Sequence, residues 1–450
     1  MKTKSLLFFN LYWAFGIIYF CFGRYNWHIP SYAMLLIYVF FNFLAVNLGY
    51  ISVPSAPASV QSSAEKEVSE RELFERCKTW FVIACFITMF FQISWVIVIL
   101  GKFSITTAIQ NIGENYYEKM YEFEGVSRIL QIRTLFWIIT YFVYPIGFYF
   151  FKLMSRFCKF VFVSTVIVEV FTSLNMGVSK NIGDLVFIYL ATLFLSSAKR
   201  RDRLFMPKMQ KSFDLNKKKR EKSLFGRIAL IIAIFLFAFS VIQSSRLEAS
   251  GSVSENLFAK FSDLRSFSLF DPFLFWNKAL LNLFDKMGEY VSHAYCGLAY
   301  ALELPFENTY GLGFSDALID YSTQYFGIEN LRPMTYNARI EFLYGWKDGQ
   351  WWPTAFTWFG NAVSLWLVPV VIFLFGRLFK NVENRWFRSN QILSLVMYCQ
   401  LFIAFVYLSC NAQIFQGRHI FIATTVLFCI NGTTFLKIKL LVLYYNSDLE

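Results

Sequence analysis

The strongest constraint on this chain is a succession of apolar stretches, each about as long as a bilayer core is thick. A helix needs about 20 mostly apolar residues to cross that core, and the sequence offers about ten such segments. They run Leu6 to Phe22, Tyr32 to Val53, Trp80 to Leu100, Thr134 to Phe151, Phe157 to Met176, Gly183 to Ser197, Ile228 to Ile242, Pro353 to Leu378, Ile392 to Cys410 and Ile420 to Leu441. With 56% hydrophobic residues and 20% aromatics, the chain reads as an all-α polytopic membrane protein.

Basic residues in short connections are retained on the cytoplasmic side. Lys2 and Lys4 precede the first span. The segment 199–227 carries Lys199, Arg200, Arg201 and Arg203, then Lys217, Lys218, Lys219, Arg220 and Lys222. Arg377, Lys380, Arg385 and Arg388 mark another inside loop, and Lys437 and Lys439 follow the last span. Both termini are therefore expected in the cytoplasm, with the linker 54–78 on the same side. The net charge of +12 is a topology signal: these lysines touch anionic lipid and do not call for nucleic acid. Met1 to Phe22 lacks a small-residue cleavage site and reads as a retained first span.

This orientation divides the chain into spans one to seven (1–245), a large extracytoplasmic loop (246–352) and spans eight to ten (353–450). The loop has more acidic than basic residues, unlike the rest of the chain. Apolar residues at helical spacing between Asp271 and Asp285 predict an interfacial helix. A second outward loop, Lys102 to Arg133, includes a polar helical stretch from Ile109 to Phe123. Eight cysteines without metal spacing read as packing residues, with Cys296 and Cys410 on the outer side. His28, His293 and His419 also fall outside, but no ligand motif joins them, so no metal is expected. Glu169 lies among Val and Phe at membrane depth. A charge there is costly unless paired or facing water, so it should line a cavity or meet a base such as Lys180.

Three strings in the loop concentrate Tyr, Trp, Gly, His, Arg and Glu: Tyr290 to Leu302, Thr309 to Ser315 and Arg339 to Trp358. Aromatic faces stack on the C–H faces of sugars, and carboxylates and amides bind hydroxyls. The mixture suits a glycan, with Tyr290, Tyr295, Tyr310, Trp346 and Trp352 as candidate contacts. An aromatic belt at the membrane interface is the simpler account of any one of them.

Tyr290-x-Ser292 with Tyr295-x-Gly297-Leu298, then Thr309-Tyr310-Gly311-x-Gly313-x-Ser315, then Arg339-x-Glu341 with Gly345-Trp346, resemble the outer loop of bacterial O-antigen and capsule repeat-unit polymerases. The likeness in topology spans the chain; its sequence-specific part covers about a quarter. Such proteins often have Gly where Ala294 stands and a second Asn where Ala412 separates Asn411 from Gln413. The resemblance implies a lipid-sugar-dependent glycosyltransferase of the multi-helix GT-C type in the bacterial inner membrane. It would join undecaprenyl-diphosphate-linked oligosaccharide units, serving as donor and acceptor, without a cofactor. A chain-length regulator protein is a further partner the resemblance allows.

That reaction calls for cations to hold the diphosphate, a base for the attacking hydroxyl and a path for the lipid. Arg binds phosphate oxygens bidentately and keeps its charge, so Arg339 leads, followed by Arg418 and Lys180; Arg246, Arg265 and Arg332 are further candidates. Glu341, His293 and Glu289 are candidate bases. Asp184, at the start of span six, joins Glu169 as a candidate cavity residue. Rival readings are a transporter or flippase for lipid-linked sugar, a ligase moving finished glycan to lipid A core, and a non-catalytic scaffold. Matching interrupted half-repeats, the mark of many transporters, are not visible in the sequence.

Overall fold

The computed structural model describes residues 4–55, 70–101, 103, 111–121, 128–203, 258–266, 268, 278–348 and 351–431, with scattered positions between 226 and 249. In chain order the helices are α1 (Ser5–Phe22), α2 (Tyr32–Ile51), α3 (Glu70–Leu100), α4 (Ile112–Tyr121), α5 (Arg128–Phe150), α6 (Arg156–Asn175) and α7 (Lys180–Arg203). Then come α8 (Lys278–Leu302), α9 (Asp316–Phe326), α10 (Leu331–Met334), α11 (Tyr336–Tyr344), α12 (Ala355–Val363), α13 (Val368–Ser389), α14 (Ile392–Tyr407) and α15 (Arg418–Asn431). One antiparallel ribbon pairs β1 (Tyr25–Trp27) with β2 (Ser262–Leu264).

Seven helical segments are long and apolar enough to cross a membrane among the described residues: α1, α2, α3, α5, α6, α7 and the segment Leu365–Ser389 that contains α13. Six of the ten expected spans are among them as single helices, and the eighth in part. The ninth expected span forms the shorter helix α14, and the described part of the tenth belongs to α15. The expected seventh span and residues beyond Asn431 fall mostly or wholly outside the described residues.

The expected eighth span, Pro353 to Leu378, divides into two helices. α12 ends at Ser364, whose φ of 76° is left-handed, and a 3-10 turn at Leu365–Leu367 leads into α13. A hydropathy sum counts the Phe and Trp of this stretch without sensing that Thr354, Thr357 and Asn361 are buried polar groups. The loop differs as well. The expected interfacial helix and the Tyr290–Leu302 string belong in part to one helix of 25 residues, α8. The part before Lys278 lies outside the described residues.

α13 packs most extensively on α2, and glycine makes that approach possible. A Cβ on Gly49 would strike the carbonyl of Phe373, and one on Gly376 would strike that of Val46. Close backbone contact at small residues is how helices associate where lipid supplies no hydrophobic drive. Asn10 and Asn47 exchange amide hydrogen bonds of 2.8 and 2.9 Å between α1 and α2. Trp13 stacks on Phe43 at 4.7 Å.

The ribbon and α8–α12 gather as a cap at one end of the bundle. α8 packs along α1, with Gly288 seated under the Tyr19 ring. At the opposite end, Lys199 bonds Glu70 at 3.0 Å and Asn390 at 2.6 Å. There too the buried Lys380–Glu383 pair, 2.6 Å apart, receives a hydrogen bond from Tyr50 at 2.8 Å.

Candidate functional site

Where α5, α6, α7 and α14 converge toward the cap, they leave a polar cavity of about 50 Å³, room for a few waters. Its lining includes Glu169, Lys180, Asp184, Gln400 and Gln413. Ser155 caps α6 by accepting from the Cys158 N–H, and α6 then runs apolar until Glu169 near its other end. A tight turn at Gly177, φ 58°, delivers the chain into α7, whose first residue is Lys180. One turn later, Asp184 takes a 2.6 Å hydrogen bond from the Lys180 ammonium. Glu169 accepts from Tyr144 at 2.7 Å and from Gln92 of α3. The second carboxylate oxygen of Asp184 is buried without a partner among the described residues. The cavity thus carries two carboxylates and an ammonium in one lining, among apolar side chains such as Leu185, Ile188 and Ile403.

Beside it stands a residue that sequence reasoning placed only at a loop boundary. Arg133 of α5 is 6% exposed, and its guanidinium carbon lies 4.4 Å from the ring centroids of both Trp95 and Trp137. Its Nε has no hydrogen-bond partner among the described residues. It lines a small cleft between α3 and α5 that shares Trp137 and Thr140 with the cavity. His419 sits edge-on to Trp137 at 4.6 Å, within electrostatic reach of Arg133 and Lys180. The signal was available in Trp95 and Trp137, but only the crossing of α3 and α5 puts them around one arginine.

The cap holds a different group. His293 stacks on Phe258 at 5.6 Å and faces Trp352 at 6.2 Å, and Trp346, fully buried, stacks on Phe258 at 5.6 Å. The His293 ring is 3.0 Å from the Glu289 carbonyl through Nδ1, and burial pushes its imidazole down to about 4. The Glu289 carboxylate accepts from Tyr25 at 2.7 Å. Tyr295 is fully buried, while Tyr310 is 71% exposed with a left-handed φ of 55°. Tyr290 connects the two regions: it meets Trp352 at 6.3 Å and lies within electrostatic reach of Asp184 and Arg246.

The remaining candidates are dispersed. Arg339 pairs with Glu307 at 3.0 Å and donates to the Pro305 carbonyl at 2.7 Å, while Glu341 is exposed. Arg418 reaches Asp320 at 3.5 Å, and Arg332 reaches Asp316 at 3.0 Å. Burial pushes the Asp316 carboxyl up to about 6 against the pull of Arg332. Arg265 donates to the Cys21 carbonyl at 2.8 Å, and Arg246 donates to that of Gly177 at 2.8 Å. The Thr309–Ser315 string docks on Asn361: the Thr309 hydroxyl donates to its carbonyl at 2.6 Å, and the Asn361 amide donates to Gly313 at 3.2 Å. No group of three or more His, Cys, Asp or Glu among the described residues could hold a metal ion.

The structure therefore brings Glu169, Lys180 and Asp184 together and gathers His293, Glu289, Trp346 and Trp352 separately. It does not gather Arg339, Glu341 and Arg418 with either. Compared with protein-family models, with curated proteins and with solved structures, the chain matches none.

Proposed function

We propose that this chain polymerises undecaprenyl-diphosphate-linked oligosaccharide units into O-antigen or capsular polysaccharide at the outer face of the bacterial inner membrane. The observation that carries the reading is the polar cavity, in which Lys180, Asp184 and Glu169 meet where the bundle joins the cap. The reaction forms a glycosidic bond from an acceptor hydroxyl to a donor's anomeric carbon and releases lipid diphosphate. Lys180 offers charge to that leaving group. Asp184, with one oxygen unpartnered among the described residues, offers a hydroxyl-binding or proton-accepting group. The resemblance of the cap's three strings to repeat-unit polymerases supplies the class.

A transporter is less well supported. The interruption at Ser364 lies outside the cavity lining, whereas interrupted helices in transporters form the binding site itself.

The test is the glycan ladder from cells lacking this chain, complemented with wild type, Lys180→Gln or Glu169→Gln at matched membrane abundance. The expected result is a ladder collapsed to one repeat, restored by wild type and not by Lys180→Gln. An unchanged ladder on deletion overturns the reading. Loss of even the one-repeat band points to ligation or lipid export.

A further inference from the structure

Arg133 poses a physical problem that the cavity chemistry above does not use. An arginine does not shed its proton, and a buried guanidinium needs oxygen acceptors for its five N–H donors. Trp95 and Trp137 attract the charge through their rings but offer those donors no oxygen. Glu169 is within electrostatic reach, but its Oε2 accepts from Tyr144 and Gln92, and no hydrogen bond joins the carboxylate to Arg133 among the described residues. No ion pair to Arg133 exists among the described residues, and its Nε is buried and unpartnered.

The surroundings state what kind of acceptor fits. The cleft that Arg133 lines is otherwise walled by Ile87, Phe91 and Phe136, with Thr88 and Thr140 as its hydroxyls. On the outer faces of the same two helices, Phe86, Phe90 and Ile97 of α3 and Ile132 and Leu135 of α5 are exposed, as a lipid-facing surface would be. A guanidinium in an apolar seam that opens toward lipid matches a ligand with a phosphate at one end and hydrocarbon at the other. The cleft is about 10 Å³ as it stands, so the ligand must part α3 from α5 or seat its phosphate at their margin.

We propose that Arg133, held by Trp95 and Trp137, is the binding site for a lipid-borne phosphate group that reaches the cavity between α3 and α5. The choice of a polyprenyl diphosphate over an ordinary phospholipid rests on the function proposed above; the phosphate–hydrocarbon chemistry does not.

The full chain in phosphatidylcholine nanodiscs is titrated with radiolabelled undecaprenyl diphosphate. Wild type binds saturably, Arg133→Gln binds about tenfold or more weakly, and Arg133→Lys falls between because an ammonium lacks the bidentate fork. Competition by phosphatidylglycerol identifies the occupant as bulk anionic lipid and sustains the site. Equal competition by inorganic pyrophosphate removes the lipid from the proposal and overturns it. Unchanged affinity in a folded Arg133→Gln protein also overturns it. Should that variant fail to fold, a photo-crosslinking side chain at Phe136 in otherwise intact protein decides: adducts with the labelled undecaprenyl diphosphate that excess unlabelled ligand suppresses support the site, and their absence defeats it. Binding is read without polymerisation, so unchanged lipid binding in Arg133→Gln beside a ladder that collapses on deletion sinks only this inference. An intact binding curve in a chain whose deletion spares the ladder sinks only the proposed function.

Discussion

The cap and the cavity use the same residue classes for opposite ends. In the cap, His293, Glu289 and Trp346 are closed into an aromatic nest: the imidazole faces rings and a carbonyl, and the carboxylate is held by Tyr25. In the cavity region, half-buried Lys180 and Asp184 and buried Arg133 keep unpartnered donors or acceptors or line open space. The Trp346 Nε1 is also buried without a partner among the described residues, but it is closed in by rings, whereas the incomplete groups at the cavity border space that a ligand can enter. The cap is therefore expected to answer mutation with loss of stability and the cavity with loss of activity.

The largest effect should come from the nest. Trp346→Ala removes a fully buried indole in contact with Phe258, Phe261 and Trp351. A cost of about 3 to 5 kcal/mol is expected, read as lowered membrane abundance and a lower unfolding temperature in detergent. A Trp346→Ala protein of normal stability that loses only its glycan ladder would move this tryptophan from scaffold to site.

Acid should act on the same nest. The His293 imidazole is depressed to about 4 by burial, so the unfolded chain binds a proton more readily than the folded one. The stability is present above the ordinary imidazole value and is lost as pH falls toward 4, by up to about 3 kcal/mol. His293→Gln should flatten that limb of a pH–unfolding curve. Asp316 has the opposite sign: its carboxyl is raised to about 6, so its contribution is lost as pH rises through 6.

These assignments show what the sequence could reveal. Long apolar runs identified most spans because hydropathy is additive along a helix, and Glu169 was conspicuous because a charge among Val and Phe needs a partner. The break at Ser364 was hidden, since the window averaged buried Thr and Asn with their aromatic neighbours. Arg133 was hidden for a different reason. Its tryptophans lie on α3 and α5, and only the packing of those helices brings them around it. The strings resembling polymerases were visible, but proximity was not: Arg339 pairs its charge with Glu307 and donates to Pro305, away from the cavity.

A smaller change in stability is expected at the cavity. Asp184→Asn weakens a half-buried pair with Lys180, worth about 1 kcal/mol or less, and leaves the helices otherwise packed. The ladder should nevertheless collapse toward one repeat at unchanged protein abundance. If Asp184→Asn lowers abundance as much as Trp346→Ala does, the cavity pair is structural and the contrast between the regions fails.

Tyr310 should respond least in stability and so gives the sharpest test of the cap. It belongs to the polymerase-like string, yet its ring is 71% exposed and its backbone holds a left-handed φ of 55°, a conformation that favours glycine. The turn is kept by other atoms: the Tyr310 N–H donates to Asn308 at 2.8 Å, and Thr309 and Gly313 dock on Asn361. Tyr310→Gly should thus leave thermal stability within about 0.5 kcal/mol or raise it. Packing gives no reason for an aromatic ring there, whereas an exposed face suits a sugar. A shortened ladder with undiminished stability would assign Tyr310 to glycan contact and extend the site onto the cap surface; a full ladder would leave that string as the peg that fixes the cap on α12.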